Sequence, residues 1–151
     1  MFDIDFKQDT AKNLEEALSS VNIIRESLHS LSSELTELRQ DSFQKRRLIA
    51  KKKKELANVH DQIKRSIAEE LDGRGKPKFS NEVKRQGEFM MRSAEDSSCR
   101  ELEDQMDSLM ISSAEIDNKI ERLTFDHEIL LLDYKLGLHL FRVFSGGSSE
   151  E

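Results

Sequence analysis

Residues 45–54 hold seven cations in ten positions: Lys45, Arg46, Arg47, Lys51, Lys52, Lys53 and Lys54. Cations at this density on a helix can neutralise successive phosphates, which is the chemistry of sequence-independent nucleic-acid binding. Single strands also need flat rings on which bases stack, and Phe43 is the only aromatic side chain near the run. The simpler reading, a solvated face paired with acids of a neighbouring helix, therefore takes precedence. A second cluster, Arg74, Lys76 and Lys78 followed by Phe79, is flanked by Lys64 and Arg65 before it and by Lys84 and Arg85 after it. It suits contact with a partner protein, a phosphate backbone or a membrane surface.

Catalysis finds no such spacing. His29, His60, His127 and His139 each lack a second histidine three or four residues away, so no helical zinc pair is present. Asp126 and Glu128 adjoin His127, but adjacent residues on a helix point in different directions. The stretch Asp72 to Lys76 lacks the pattern of a glycine-rich phosphate loop, and no Ser-x-x-Lys or Ser/His/Asp set stands out. The expectation is a protein that is not an enzyme and carries no metal and no cofactor. Cys99 is the single cysteine, which excludes an intrachain disulfide and fits a reducing compartment.

The elements that hold these residues are announced by a repeat of seven. Leu14, Val21, Leu28, Leu35, Ser42, Ile49, Leu56 and Ile63 form one set, and Thr10, Ala17, Ile24, Leu31, Leu38, Lys45, Lys52, Val59 and Ser66 the other. Twelve of these seventeen positions are apolar and the phase never slips, so the mean spacing of 3.5 marks a coiled-coil seam. Ser42, Lys45 and Lys52 thin the seam, and lysines there can lay their stems along the groove with the charge outside. After Ile63 the spacing changes to Ile67 and Leu71, a sign of local unwinding. A second seam starts at Cys99 and continues through Leu102, Met106, Leu109, Ser113, Ile116, Ile120, Leu123, His127, Leu130, Tyr134, Gly137, Phe141 and Phe144. His127 then reads as a polar seam residue that sets register or oligomeric state. Gly87 and Gly137 mark candidate points of close helix approach.

Between the seams, residues 72–79 contain Gly73, Gly75 and Pro77, the only proline. These end one helix, and Ser80 or Asn81 can cap the next. The predicted organisation is a short lead over 1–9, a first long helix over 10–71, a loop over 72–79, a second long helix over 80–144 and a disordered tail over 145–151. A short connection makes antiparallel neighbours. The expected fold is all-α, an antiparallel two-helix coiled-coil hairpin in which residue i faces roughly 151 minus i. That register sets the 45–54 cations opposite Glu101, Glu103, Asp104 and Asp107. Phe125, Ile129, Leu132, Leu136 and Leu140 lie off the seam, more apolar material than two helices need. They form a candidate oligomer face, through which hairpins would pair into a four-helix dimer.

Composition agrees with an extended helical architecture. Only 36% of residues are apolar and 36% are charged, with one Tyr and no Trp. Net charge is −6, which gives no global bias toward nucleic acid. Its distribution is uneven: 13 basic and 13 acidic residues over 1–71, against 8 basic and 16 acidic over 80–151. The start Met1-Phe2-Asp3-Ile4-Asp5 has no basic and then apolar run, and the longest apolar run is the four residues from Ile129 to Leu132. Neither a secretory leader nor a membrane span is expected, and the predicted location is the cytoplasm.

The stretch Phe79-Ser80-Asn81-Glu82-Val83-Lys84-Arg85-Gln86, with the acidic heptads that follow as far as Tyr134, resembles small coiled-coil proteins encoded in bacterial and phage genomes. The resemblance implies a first helix, a short loop, a capped second helix and no assigned activity. In size and hairpin form the chain is also similar to helical-hairpin stalk proteins of flagellar and type III export machines. The expected function is a coiled-coil interaction, scaffold or adaptor protein assembling with itself or another helical protein. The alternative is a nucleic-acid-associated accessory protein that uses the 45–54 run or the loop tip.

Overall fold

The computed structural model describes residues 3–145, the side chains of 3–11 and of residue 144 excepted. Three helices account for nearly all of it: α1 (Asp3–Glu69), α2 (Glu82–Glu95) and α3 (Ser97–Phe144). No strand occurs among the described residues; the one β contact is an isolated bridge between Leu71 and Pro77. The chain is therefore all-α. The backbone is already helical at Asp3, so the expected lead belongs to α1. Phe2, the side chains of Ile4 and Phe6, and the tail beyond residue 145 lie outside the described residues.

The expected second long helix is divided in two at Asp96. Its backbone leaves the helical region (φ −70°, ψ 120°), while its N–H still donates to the carbonyl of Arg92 and so closes α2. Its side chain then opens α3: Oδ1 accepts from the backbone N–H of Cys99 at 2.9 Å. One aspartate thus satisfies groups at the end of one helix and the start of the next. At the start of α2, Asn81 is the cap, accepting the backbone N–H of Lys84 at 2.8 Å.

The chain divides into two compact units, Met1–Gln40 with Asp117–Glu151, and Asp41–Ile116. In the first, Val21 and Leu35 are buried seam residues of α1. The Glu34 carboxylate meets the Lys119 ammonium of α3 at 2.8 Å. A Cβ on Gly137 would lie 2.9 Å from Cγ2 of Val21. A register of 151 minus i sets Val21 opposite residue 130; it meets Gly137 instead, one heptad further on. Glu34, expected opposite residue 117, meets Lys119, so the displacement of a full heptad is found at Val21 and not at Glu34.

In the second unit the buried residues are Ser42 and Ile67 of α1 and Cys99 and Ser113 of α3. Ile67, where the spacing changes, is only 2% exposed, whereas Leu71 is 58% exposed and packs no core. The connection between α1 and α2 is ordered by Asp72. Its Oδ1 accepts the backbone N–H groups of Arg74 (2.8 Å) and Lys76 (2.9 Å), and its own N–H donates to the Lys76 carbonyl at 2.7 Å. Gly75 takes a left-handed backbone (φ 71°) at no steric cost. Arg92, rather than a residue of the 81–85 stretch, reaches Glu70 and Ser66, while Phe89 meets His60 within two residues of the expected register.

Candidate interaction surfaces

Around the turn, the acid and base side chains form a clasp. Glu70 accepts from Lys78 and from Arg92, and Arg92 Nε donates to Glu88 at 2.6 Å. Phe79 lies under both cations, with Lys78 Nζ 5.3 Å and the Arg92 guanidinium 5.8 Å from its centroid. Hydrogen bonds from Lys78 and Arg92 hold the Glu70 carboxyl below the usual carboxylate range, and Glu70 and Glu88 hold the Arg92 guanidinium still further on its charged side. Lys78 and Phe79 are thus consumed in structure. Arg74 and Lys76 remain exposed, and no ion pair reaches them among the described residues. The clasp unites residues 22 apart in sequence, so sequence reasoning did not single out Glu70 or Arg92. The one local signal was Glu88 four residues before Arg92, an acid-then-base helix pair.

The 45–54 run does not present one uniform face. Lys45 and Lys52, the seam positions, are half-buried, while Arg46, Arg47, Lys51, Lys53 and Lys54 are exposed. Lys52 Nζ pairs with Glu55 within α1 at 3.0 Å, and Lys51 reaches the same carboxylate at 4.0 Å. The Arg47 guanidinium sits 6.0 Å from the Phe43 ring centroid. Lys52 also lines a shallow groove with Glu101, Asp104, Gln105, Ser108 and Leu109. Two of the four acids expected opposite the run are therefore beside it.

The histidines are scattered. His60 meets Phe89 edge-to-face at 5.2 Å, with Lys64 Nζ 5.1 Å from the same ring. His127 is half-buried at its seam position, and His29 and His139 are exposed. Cys99 is 1% exposed, and burial, with Asp96 and Glu103 adding to it, pushes its thiol up. No group of three or more metal-ligating side chains assembles among the described residues, and no helix there is long and apolar enough to cross a membrane.

A continuous apolar stripe runs along the far side of α3 in the first unit. Phe125 (62%), Ile129, Leu132 (65%), Leu136 (58%), Leu140 and Val143 are exposed at spacings of four, three, four, four and three. That is the period of a straight helix face. It lies opposite the inner seam of Ile120, Leu123, His127, Leu130, Tyr134, Gly137 and Phe141, every one of them half-buried. Charged residues separate the two faces: Glu121, Glu128, Lys135 and Arg142 along one edge, Asp126 and Asp133 along the other. A shallow groove lined by Asn118, Glu121, Arg122, Thr124, Phe125 and Glu128 opens at one end of the stripe. All five residues of the candidate oligomer face are thus brought onto one surface, extended by Val143.

No protein-family model, curated protein or solved structure matches the chain.

Proposed function

We propose that this is a coiled-coil interaction or scaffold protein, an antiparallel helical hairpin that assembles through the outer stripe of α3 with itself or another helical protein. The supporting observation is that α3 is apolar on two opposite faces while α1 is not. The positions of α1 that correspond to the outer stripe hold Glu16, Ser19, Ile23, Glu26, Ser30, Ser33 and Glu37, with Ile23 the single apolar residue among these seven. An apolar helix face is normally covered by another element. One face of α3 has its cover in α1 through Val21 and Glu34, and the other is open. An uninterrupted row of exposed apolar side chains of this length is the mark of a protein-binding surface. The hairpin itself is supported by the opposite order of the contacts in the first unit, 34 with 119 and 21 with 137. A reducing, cytoplasmic setting fits the one, buried cysteine.

The test is Leu132→Lys with Leu136→Lys in the full chain, compared with the native chain by light scattering and by affinity capture from a cell lysate. Assembly or capture that disappears in the variant, with helix content unchanged, supports the reading. A native chain that is monomeric and captures nothing sinks it.

The second reading, binding to nucleic acid, is favoured by the exposure of Arg46, Arg47, Lys53 and Lys54 along one side of α1. It predicts salt-dependent binding of a labelled oligonucleotide that is lost when these four are replaced by Gln. No binding at low salt removes it.

A further inference from the structure

The edges of the outer stripe carry more information than its apolar middle. Along the edge formed by Glu121, Glu128, Lys135 and Arg142, charges occur every seven residues, first two acids and then two bases. Such a row is its own complement when reversed. Glu121 lies as far before the point between Leu131 and Leu132 as Arg142 lies after it, and Glu128 and Lys135 are related in the same way. The apolar middle is reversible too. When two copies of the stripe run in opposite directions, Phe125 of one falls level with Leu136 of the other, and Ile129 with Leu132. This gives four consecutive apolar layers.

These two requirements could have demanded different registers, but they do not. In an antiparallel pair the residues along one edge meet two positions further on than the core layers do, because edge residues reach across from the next turn. The register that stacks Phe125 on Leu136 is the one that sets Glu128 against Lys135 and Glu121 against Arg142. It also brings Val143 to the groove beside Phe125, lined by Asn118, Glu121 and Arg122. All four charged side chains are exposed, and none is engaged in an ion pair among the described residues.

On the basis of the interaction function proposed above, we infer that the occupant of the stripe is a second copy of this chain, lying antiparallel. Its α3 helices pack face to face, with the two-fold axis between Ile129 and Leu132. The opposite edge brings Asp126 near Asp133 of the second copy, an unfavourable pair that occurs twice, against four favourable pairs on the first edge. A parallel pair fares worse. It sets Glu121 against Asp126 and Glu128 against Asp133, all like charges, and leaves no opposite pair along the stripe. Charge therefore selects both the partner and its direction.

Self-association of the full chain by analytical ultracentrifugation at low salt tests the pairing. The native chain is expected to be a dimer. Glu128→Lys faces Lys135 of the second copy and should weaken the dimer about tenfold, and Glu128→Lys with Lys135→Glu should restore it. In a parallel dimer Glu128→Lys would instead strengthen association, which overturns the proposed direction. A second measurement fixes the register. Chains with Phe125→Cys mixed with chains with Leu136→Cys should form disulfides between unlike chains. Like chains should not join, because eleven residues of helix hold two copies of residue 125 about 16 Å apart. A native chain that stays monomeric overturns self-pairing. If that monomer still retains a helical protein from lysate and Leu132→Lys with Leu136→Lys abolishes retention, the interaction function stands without it. If nothing is retained, both fall.

Discussion

A Cβ built on Gly137 of α3 would meet Cγ2 of Val21 of α1 at 2.9 Å, closer than real side chains approach. Val21 is 6% exposed and β-branched, so it has little freedom to turn aside. Gly137→Ala gains about 1 kcal/mol of helix propensity but incurs overpacking of about 1–3 kcal/mol. The expected result is a lower thermal midpoint for Gly137→Ala. In a Val21→Ala background, where the obstacle is gone, the same change should raise the midpoint. Equal effects in both backgrounds would show that the two side chains do not compete for space.

Gly87 is the contrast. It also sits inside a helix, but nothing lies within 4 Å of where its Cβ would be. Gly87→Ala should stabilise the protein by about 1 kcal/mol, read as a shift in the denaturant midpoint without a change in slope. The two glycines look alike in sequence, and only one is required by packing.

Asp96→Ala removes the side-chain acceptor for the Cys99 N–H. It should cost about 1 kcal/mol, while Asp96→Asn, which keeps a capping oxygen, should cost much less. Cys99 offers a second readout, because fraying at the start of α3 exposes its thiol. Labelling by a thiol reagent should be slow in the native protein and in Asp96→Asn, and faster in Asp96→Ala.

The clasp at Glu70 gives a pH dependence with a definite sign. Its folded pKa lies below its unfolded value, so the unfolded chain takes up the proton first as pH falls. The stabilisation is complete above the unfolded carboxylate pKa of about 4.3 and disappears as pH drops through the lowered folded value. The difference in thermal midpoint between the native chain and Glu70→Gln should be constant near neutrality and shrink in acid. A difference that grows on acidification would contradict the arrangement of Lys78 and Arg92 around Glu70.

What was readable in the sequence follows from the range of the forces involved. The seam was readable because burial repeats: Val21, Leu35, Ser42, Cys99 and Ser113 all fall on seam positions and all are buried. The interruption at Asp96 was not. It occupies a single residue without glycine or proline, and a hydrophobic repeat averages over so short a gap. At Val21 the contact falls one heptad beyond the register of 151 minus i, whereas Glu34 meets Lys119 within two residues of it, and the repeat, which is indifferent to whole heptads, does not distinguish the two. The clasp was hidden because Glu70 and Arg92 lie 22 residues apart and are joined only through the tertiary fold. The outer stripe was legible as surplus apolar residues, and its self-complementary edges become visible only once the inner face of α3 has been assigned.

Asp96 has one more consequence, which concerns lineage and engineering rather than stability. Because α3 restarts with no spare residue after α2, adding or deleting a single amino acid there separates two tasks that Asp96 now performs at once, closing α2 with its N–H and opening α3 with its Oδ1. The acceptor for the Cys99 N–H would be lost at the point where the core of the second unit begins. Length changes should therefore be purged at this point and tolerated in the Gly73–Lys76 turn, so a library of single-codon insertions would map the junction as a sharp minimum of survival.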